Sequence, residues 1–383
     1  MSEVVVTGIG SVCALGNTLE ESWQRLVAGK SKIRLCQPFP ELPTLPLGMI
    51  NTSPYQLADL TKLIVLSALE DAKLAPPLLD CAVVIGSSRS HQGIWEQIVQ
   101  QMYNVNCLDP SRLLDSKIWL DTLPHMNAIN AARIIGSVGI VLAPMAACAT
   151  GIWSISQAVE LIASGKCQRA IAGAVEAPIT PLTITGFRQM GALAKTGVYP
   201  FDKNRQGLGL GEGGALFILE SAKLAKERKA KIYGRILGFG LTADAYHPNQ
   251  LHPEGKGAIA AIKQCLHRSK IIPKDIDYIH AHGTATQLND RVESLVIQEL
   301  FSDQVYVSST KGGTGHTIGA SGALGAAFSL MALKYQTLPP CVGLSNPEFD
   351  LNYVKKAYIT RVQRVMCFSF GFGGQNAVIA MSV

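Results

Sequence analysis

The segment "GIVLAPMAACATGIWSISQAVELIASG" (139–165) contains an apolar run, a turn of small residues and a longer apolar stretch. The short apolar run, 139–147, predicts a buried β-strand, and the spacing of apolar residues over 148–165 predicts a helix. A second segment has the same plan, because strand-like "VYVSST" (305–310) is followed by a glycine-rich turn and then by apolar "HTIGASGALGAAFSLMALKYQ" (316–336). Two copies of one unit predict an internally duplicated α/β fold.

Five strands are predicted in each half of the chain. In the first half they are 3–10, 81–88, 139–147, 169–177 and 214–221. In the second half they are 232–240, 276–283, 305–310, 365–373 and 376–383. In both halves the third strand leads into the apolar helix, and the last two strands are expected to pair.

We therefore predict an N-terminal half over 1–225 and a C-terminal half over 226–383. Residues 35–60 and 92–128 are predicted to be excursions from the first half.

Composition narrows the class of protein. Of the 383 residues, 48% are hydrophobic and 16% are charged, which predicts a large core and excludes a disordered chain. The nine cysteines form no CxxC pairs and no zinc-ligand spacing, so we expect neither a disulfide framework nor a metal site. No signal peptide or membrane span is predicted, since 316–336 is typical of a buried helix, and a cytoplasmic location is expected. The net charge of +6 is mild, and nucleic-acid binding is not indicated.

Cys148 lies at the first turn of the predicted helix. Backbone N–H groups at a helix N-terminus favour the thiolate form of a cysteine. The small neighbours Ala146, Ala147 and Gly151 leave space for a ligand to approach. This pattern is compatible with a nucleophile, and equally with a buried structural cysteine.

Two histidines lie at or beyond the carboxyl ends of predicted strands, in segments rich in glycine and threonine. His282 belongs to "HAHGTATQLND" (280–290), and His316 belongs to "SSTKGGTGHTIGASG" (308–322). Functional groups of α/β folds gather at the carboxyl ends of strands, so both are expected near Cys148. The glycine-dense turn in "CFSFGFGGQN" (367–376) is able to present a backbone N–H to an oxyanion.

With these segments in place, the chain resembles the elongating β-ketoacyl-[acyl-carrier-protein] synthases of the thiolase-like superfamily. The motifs that carry the resemblance occur in family order from end to end: "VVVTGIGSVCALGNTLEESWQRLVAGKS", "ACATG", "YPFDKNRQGLGLGEGGALFILE", "HAHGTATQLND", "KGGTGH" and "SFGFGGQN". The resemblance implies two duplicated α/β halves in a five-layered αβαβα core, and a dimer, usually a homodimer.

The resemblance also implies the catalytic roles. Cys148 corresponds to the nucleophile that takes the acyl group, and His282 and His316 complete a Cys-His-His set. Lys311 corresponds to the lysine of the family. Phe372 corresponds to the phenylalanine whose N–H forms the oxyanion hole with that of Cys148, and whose ring gates the acyl pocket.

Substrate handling is implied in the same way. Thr284 and Thr286 correspond to threonines that hydrogen-bond the pantetheine arm, and Asp290 and Glu293 to acidic residues near the second-half site. The expected substrates are acyl and malonyl thioesters on the phosphopantetheine of an acyl carrier protein, with no bound cofactor. The implied reaction is a decarboxylative Claisen condensation that gives a 3-ketoacyl thioester, in fatty-acid or specialised polyketide-like biosynthesis.

One position departs from the family pattern. Gly325, in "GALGAA", stands where the family usually has a glutamate that pairs with the lysine. Lys311 is therefore expected to lack its usual partner, unless Asp290 or Glu293 replaces it. A buried lysine without a counter-ion tends to lose its proton.

Two alternatives remain open from the sequence. A coenzyme A-dependent thiolase-like enzyme usually has a second cysteine near the C-terminal site, and Cys367 is available there. A non-catalytic chain-length partner in a heterodimer typically lacks the nucleophilic cysteine; here Cys148 is retained, but the change at Gly325 keeps this reading open. Acyl chain length, starter unit and pathway are left undetermined.

Overall fold

The computed structural model describes residues 3–104 and 116–383. The described strands are β1 (Val4–Cys13), β2 (Arg34–Cys36), β3 (Leu45–Leu47), β4 (Ala82–Gly86), β5 (Val141–Leu142), β6 (Arg169–Glu176), β7 (Gly213–Ser221), β8 (Gly234–Ala243), β9 (Tyr278–His280), β10 (Tyr306–Ser308), β11 (Thr337–Leu338), β12 (Tyr358–Ile359), β13 (Arg364–Gly371) and β14 (Gln375–Ser382). The described helices are α1 (Leu19–Val27), α2 (Leu57–Asp71), α3 (Gln92–Asn104), α4 (Ser116–Asp121), α5 (Met126–Ile135), α6 (Thr150–Ala163), α7 (Pro181–Gln189), α8 (Ala222–Glu227), α9 (Lys256–Ser269), α10 (Gln287–Leu300), α11 (Lys311–Thr314) and α12 (Ser321–Tyr335).

The strand order repeats between the two halves. The main sheet has the order β10-β9-β13-β14-β8-β1-β7-β6-β4-β5. The five main strands of each half can be numbered in chain order, as β1, β4, β5, β6 and β7 in the first half and β8, β9, β10, β13 and β14 in the second. From the edge of the sheet to its centre, both sets of five then have the order third, second, fourth, fifth, first. The last two strands of each set pair antiparallel, β6 with β7 and β13 with β14, as the sequence predicts. The two first strands, β1 and β8, meet at the centre over three residue pairs. This order confirms the internal duplication.

Helices cover both faces of each half. The helices α6 and α12 contact each other and lie between the two halves of the sheet, in a core that includes residues from both. The outer face of the first half packs on α2 and α5, and that of the second half on α9 and α10. The layers are therefore helix, sheet, helix, sheet and helix, as predicted.

The central helix α12 is apolar on all sides. Its residues 321–333 are all buried, as expected for a helix that packs between two sheets. The stretch Ile318–Tyr335 is long and apolar enough to cross a membrane, but 89% of it is buried inside the protein. Its composition is therefore explained by its place in the core.

The third strand of the first half is shorter than predicted. The sequence predicts 139–147, whereas β5 contains only Val141 and Leu142. Pro144 has no N–H to donate to a neighbouring strand, and the N–H of Ala146 donates to the hydroxyl of Thr150 instead. The chain therefore leaves the sheet early and turns towards α6.

The predicted excursions contain structure of their own. Within 35–60, β2 and β3 form a separate two-stranded ribbon, and α2 begins at its end. Within 92–128, the described part contains α3, α4 and the start of α5. The predicted boundary between 225 and 226 falls inside α8 and remains a prediction.

Candidate active site

Cys148 occupies the turn between β5 and α6, and local hydrogen bonds fix this turn. The residue before it, Ala147, has a φ of 47°, in the left-handed region that alanine rarely adopts. The hydroxyl of Thr150 accepts from the N–H of Ala146 and donates to the carbonyl of Ala147, at 2.9 and 2.7 Å. The hydroxyl of Ser369, on β13, donates to the carbonyl of Cys148 at 2.8 Å. The thiol is thus held at the start of α6 by both halves of the fold.

The two predicted histidines lie beside this thiol. The sulfur of Cys148 and one ring nitrogen each of His282 and His316 lie within 4.8 Å of one another, and all three residues are buried. The two imidazole rings are 5.4 Å apart and nearly perpendicular, at 83°. The structure therefore assembles the predicted Cys-His-His set, with the cysteine from the first half and both histidines from the second.

Each histidine has a polar neighbour at its Nδ1 atom. The Nδ1 of His316 is 2.7 Å from the hydroxyl of Ser321, and the Nδ1 of His282 is 3.4 Å from the Nζ of Lys311. These contacts leave the Nε2 atom of each ring for the thiol and a substrate. Burial lowers the pKa of both histidines well below its usual value, and the charge of Lys311 acts in the same direction. Both rings are therefore neutral at neutral pH.

The acidity of Cys148 differs from the expectation drawn from its helix position. Burial raises the pKa of the Cys148 thiol to about 11. The charges of Lys311 and Arg89 and the N–H of Phe372 act against this rise. The prediction of a lowered pKa is wrong, because the removal of solvent around the thiol was not visible in the sequence. The thiol is protonated at rest and needs a neighbouring base to become a nucleophile.

Lys311 is buried and contacts His282. Its Nζ donates to the backbone carbonyl of His282 and lies near the Nδ1 of the same residue. No carboxylate in 3–104 or 116–383 forms an ion pair with it. Burial lowers the pKa of Lys311, and the more distant charge of Glu293 opposes this shift. The expected loss of the usual partner is thus seen in the described part of the chain.

Asp290 and Glu293 support the loop that carries His282 rather than Lys311. The carboxylate of Glu293 accepts from the N–H groups of His282 and Gly283 at 2.6 and 2.7 Å. That of Asp290 accepts from the N–H of Ala285, in the same loop, at 3.2 Å and from the N–H of Phe201 at 2.7 Å. Burial raises the pKa of Glu293 to about 7 and that of Asp290 to about 6. The idea that either residue replaces the missing glutamate as a direct partner of Lys311 is wrong, because both carboxylates already bind backbone N–H groups.

Gly325 has no room for a side chain. A Cβ atom at this position would lie 2.8 Å from the sulfur of Cys367 and 2.8 Å from the ring of His280. Cys367 and His280 are both buried, and the Nε2 of His280 is 3.1 Å from the hydroxyl of Thr310. Two packed side chains therefore take the space in which the family glutamate would begin.

We expect Gly325→Ala to destabilise the protein by about 1–3 kcal/mol, the usual range for overpacking a core. The measurement is the free energy of unfolding in urea. Gly186→Ala is the matched control, because Gly186 lies inside α7 with open space around its Cβ direction. Alanine should be neutral or stabilising there. Equal effects at the two positions would show that the space at Gly325 is not closed.

Phe372 lies at the end of the hairpin between β13 and β14, where the turn approaches Cys148. The backbone N–H of Phe372 is close enough to the sulfur of Cys148 to lower the pKa of its thiol. A Cβ at the preceding residue, Gly371, would lie 3.0 Å from the nitrogen of Cys148, so glycine is needed for this approach. The ring of Phe372 stacks on that of Phe187 at 5.9 Å. Phe372 is therefore placed where an oxyanion donor and a gate are expected.

A cavity of about 270 Å³ opens in front of the thiol. Cys148, both site histidines, Phe187 and Phe372 contribute to its walls. Thr284 and Thr286 also line it, and their hydroxyl groups are 2.8 Å apart. The two threonines are thus available to a chain that enters this cavity.

Several residues that position the site were not identified from the sequence. The glycine-rich segment "GLGLG" (207–211) is one example. In the structure the N–H of His316 donates to the carbonyl of Gly209 at 2.7 Å, and the N–H of Gly211 donates to the carbonyl of His316 at 3.0 Å. Ser321 and Ser369 also contact the site, but an isolated serine gives no signal in a sequence.

A Cys-His-His set is also a chemically reasonable ligand set for zinc. The 4.8 Å spread of the three donor atoms is compatible with this alternative. However, the Nδ1 contacts of both rings and the N–H of Phe372 at the sulfur equally suit a thiol that reacts with a carbonyl group. The expectation that the site works without a metal stays a prediction.

Comparison with known proteins agrees with this geometry. Residues 1–46 and 51–225 match the beta-ketoacyl synthase N-terminal domain, and 233–345 match the beta-ketoacyl synthase C-terminal domain. The chain is 34% identical to the 3-oxoacyl-[acyl-carrier-protein] synthase 2 of Coxiella burnetii, over 99% of this chain and 98% of that protein.

Solved structures show the same fold. The ishigamide ketosynthase/chain length factor superposes with a TM-score of 0.93 at 26% identity, over 100% of this chain and 99% of that one. The same values hold for AntDE:AntF, in which a type II PKS acyl-carrier protein is in complex with its ketosynthase. These matches confirm the thiolase-like αβαβα fold. With a Cys-His-His set in that fold and family matches along most of its length, the chain belongs to the beta-ketoacyl synthase family.

Proposed function

We propose that this protein condenses a cysteine-bound acyl group with a malonyl thioester on acyl carrier protein, with loss of CO₂, to give a 3-ketoacyl thioester. The observation that carries the proposal is the buried thiol of Cys148 beside two neutral imidazoles, with their reactive atoms within 4.8 Å. A thiol, a base and a directed backbone N–H are the groups that acyl transfer requires.

In the first half-reaction, Cys148 takes the acyl group. Either imidazole accepts the thiol proton, and the sulfur attacks the thioester carbonyl of the acyl donor. The N–H groups of Cys148 and Phe372 stabilise the oxyanion of the tetrahedral intermediate. The bond between the acyl carbon and the sulfur of pantetheine then breaks, and the imidazolium returns the proton to the leaving thiolate.

In the second half-reaction, a malonyl thioester enters the same cavity and loses CO₂. The electron pair of the broken carbon–carbon bond forms an enolate, and its charge lies on the thioester oxygen. The Nε2–H groups of His282 and His316 hydrogen-bond this oxygen. The enolate carbon attacks the acyl carbonyl on Cys148, the bond between the acyl carbon and the Cys148 sulfur breaks, and the released thiolate takes up a proton from solvent.

The carrier and the assembly belong to the same proposal. Both substrates arrive on the phosphopantetheine of an acyl carrier protein, and the hydroxyl groups of Thr284 and Thr286 bind the pantetheine arm. No other cofactor is needed for this chemistry. A homodimer in the cytoplasm is the proposed form, and a heterodimer with a chain-length partner is the alternative assembly.

The structure favours this function over the two alternatives. A thiolase would need a second cysteine in the cavity, but Cys367 is fully buried between His280 and the carbonyl of Gly322 and does not line the cavity. A non-catalytic partner does not require a nucleophile and bases in one cavity. Here Cys148 lies in the cavity together with both histidines.

The test of the proposal is intact-protein mass spectrometry after incubation with a panel of acyl-carrier-protein thioesters, with and without malonyl thioester. We expect an acyl adduct that is discharged as a 3-ketoacyl product when the malonyl donor is present. The chain length of the best donor follows from the same data. If no donor forms an adduct, the non-catalytic partner becomes the better reading.

We expect Lys311→Met to lower the rate of condensation by roughly tenfold to a hundredfold. The amine holds His282 through two contacts, so its loss removes the orientation of that ring. The rate of acyl transfer to Cys148, measured separately, should fall much less. Lys203→Met is the matched control on an exposed lysine. A normal condensation rate would show that Lys311 has become dispensable together with the family glutamate.

A further inference from the structure

The loop after β4 lies close to the active site and is fixed by a buried carboxylate. Glu176, at the end of β6, accepts from the hydroxyl of Ser87 at 3.1 Å and from the backbone N–H groups of Ser88 and Arg89. Ser90, the next residue, has a φ of 51°, and its N–H donates to the hydroxyl of Ser87 at 2.9 Å. This network sets the direction in which the side chains of Arg89 and His91 leave the loop.

Arg89 extends towards the wall of the active-site cavity. Its guanidinium carbon lies 5.6 Å from the ring centre of Phe187, the residue that stacks on Phe372 and lines the cavity with Cys148. Its Nε is buried and has no hydrogen-bond partner within the described ranges. The charge is close enough to Cys148 to lower the pKa of its thiol. A polar donor without a partner thus lies next to the apolar residues around the thiol.

A second cavity, of about 250 Å³, is lined by residues that include Ser90 and His91, which follow Arg89 in the chain. Its inner wall contains Ser90, His91, Ile179 and Thr180, all of which are buried. Both ring nitrogens of His91 lack a hydrogen-bond partner in the part of the chain that the structure describes, although only 3% of the residue is exposed. Ile179 also belongs to the apolar cluster that contains Cys148. Arg89 thus contacts Phe187 in the wall of the first cavity, and the two residues that follow it in the chain line the second.

The unpartnered atoms indicate what this region accepts. An acyl chain that extends from Cys148 past Phe187 would bring its middle carbons to Arg89 and its end towards His91. A plain alkyl chain would leave Arg89 Nε and the His91 ring buried without partners, which is costly. A hydroxyl or keto oxygen on the chain would accept from Arg89 or pair with His91. A carboxylate is less suitable, because Glu41 and Glu96 also line the second cavity.

We propose that Arg89 is a specificity-determining residue that selects acyl chains bearing a neutral oxygen, a hydroxyl or keto group, over plain alkyl chains of the same length. The proposal rests on the proposed function, because it concerns the acyl group carried by Cys148. It assigns His91 and the second cavity to the distal part of the same chain.

The experiment compares rates of acyl transfer to Cys148 by intact-protein mass spectrometry. The donors are octanoyl, 3-hydroxyoctanoyl, 5-hydroxyoctanoyl, 7-hydroxyoctanoyl and suberyl thioesters of acyl carrier protein, with acetyl thioester as the short reference. The proteins are the wild type, Arg89→Met, Arg89→Gln and His91→Phe. Arg188→Met is the control, because Arg188 is an exposed arginine next to Phe187 in α7. Thermal unfolding shows which variants are folded.

In the wild type we expect at least one hydroxyoctanoyl donor to react roughly ten to a hundred times faster than octanoyl, the factor that a hydrogen bond to a charged group contributes. Arg89→Met should bring this ratio near one, and the acetyl rate of the same variant measures the separate effect of removing a charge that lowers the pKa of the Cys148 thiol. Arg89→Gln retains an N–H donor and should keep part of the preference. His91→Phe should reduce the preference for the 7-hydroxy donor most, and Arg188→Met should change nothing.

Three results would overturn the proposal. The first is a wild-type preference for octanoyl, or equal rates for all chains of that length. The second is a preference that persists in folded Arg89→Met. The third is reaction with the acetyl donor alone, which would mean that Arg89 excludes long chains, or fastest reaction with the suberyl donor, which would mean that Arg89 binds a carboxylate. Acetyl transfer to Cys148 in the wild type separates all of these from a failure of the proposed function, in which no donor would react.

Discussion

Cys148→Ala should abolish formation of the acyl adduct and reduce condensation by roughly 10⁴-fold or more, as expected for removal of a nucleophile. In the wild type the two imidazoles and the N–H of Phe372 surround the sulfur, and the described part of the site offers no second thiol in the cavity. The variant should remain folded, because the hydrogen bonds of this turn involve Thr150, Ser369 and the backbone.

The measurement is intact-protein mass spectrometry with the best acyl donor, in buffer that contains a chelator so that a metal-dependent reaction is not scored. Thermal unfolding of the same samples reports the fold, and Cys367→Ala is the matched control on a second buried cysteine. An adduct that persists in Cys148→Ala would place the nucleophile elsewhere. An adduct lost in Cys367→Ala, with the fold intact, would favour the thiolase-like alternative.

His282→Ala and His316→Ala should each reduce condensation by about 10²–10³-fold, while acyl transfer to Cys148 falls by about tenfold or less. Decarboxylation needs both Nε2–H groups at one oxygen, and the loss of one oxyanion donor has effects of this size in other enzymes. Acyl transfer needs one base, and the remaining imidazole can still accept the thiol proton. Each histidine variant should therefore still form the acyl adduct, unlike Cys148→Ala.

The two half-reactions are measured separately, as the rate of adduct formation and as CO₂ release from malonyl thioester with the pre-acylated enzyme. His280→Asn is a matched control, because this histidine is buried nearby but does not line the cavity. Equal losses in both half-reactions for His282→Ala and His316→Ala would contradict the division of roles proposed here.

Much of the fold was accessible from the sequence because the signals were repeated. Each half carries five apolar runs in the same order, and each has one helix that follows a turn of small residues. The site was predicted in the same way, since Cys148, His282 and His316 all lie at or beyond the carboxyl ends of predicted strands. The structure places their reactive atoms together, while their roles in catalysis remain predictions.

The properties of the site that the sequence could not show depend on contacts between residues remote in the chain and on how far water reaches the buried groups. The pKa of Cys148 depends on how much water reaches the sulfur, and this is decided by elements remote in the chain. The contacts of Glu293 could not be predicted either. The sequence suggested this carboxylate as a partner of Lys311, whereas in the structure it binds the backbone N–H groups of His282 and Gly283. Arg89 could not be identified from the sequence, because its relation to the site depends on its contact with Phe187, which is remote in the chain.

The repeated strand order has a consequence for how the site is divided. The first half contributes Cys148, and the second contributes His282, His316 and Phe372, although both halves have the same topology. In the proposed reaction one half carries the electrophile and the other stabilises the carbanion. Neither half therefore holds a complete set of reactive groups, and the reaction requires that the two halves pack against each other.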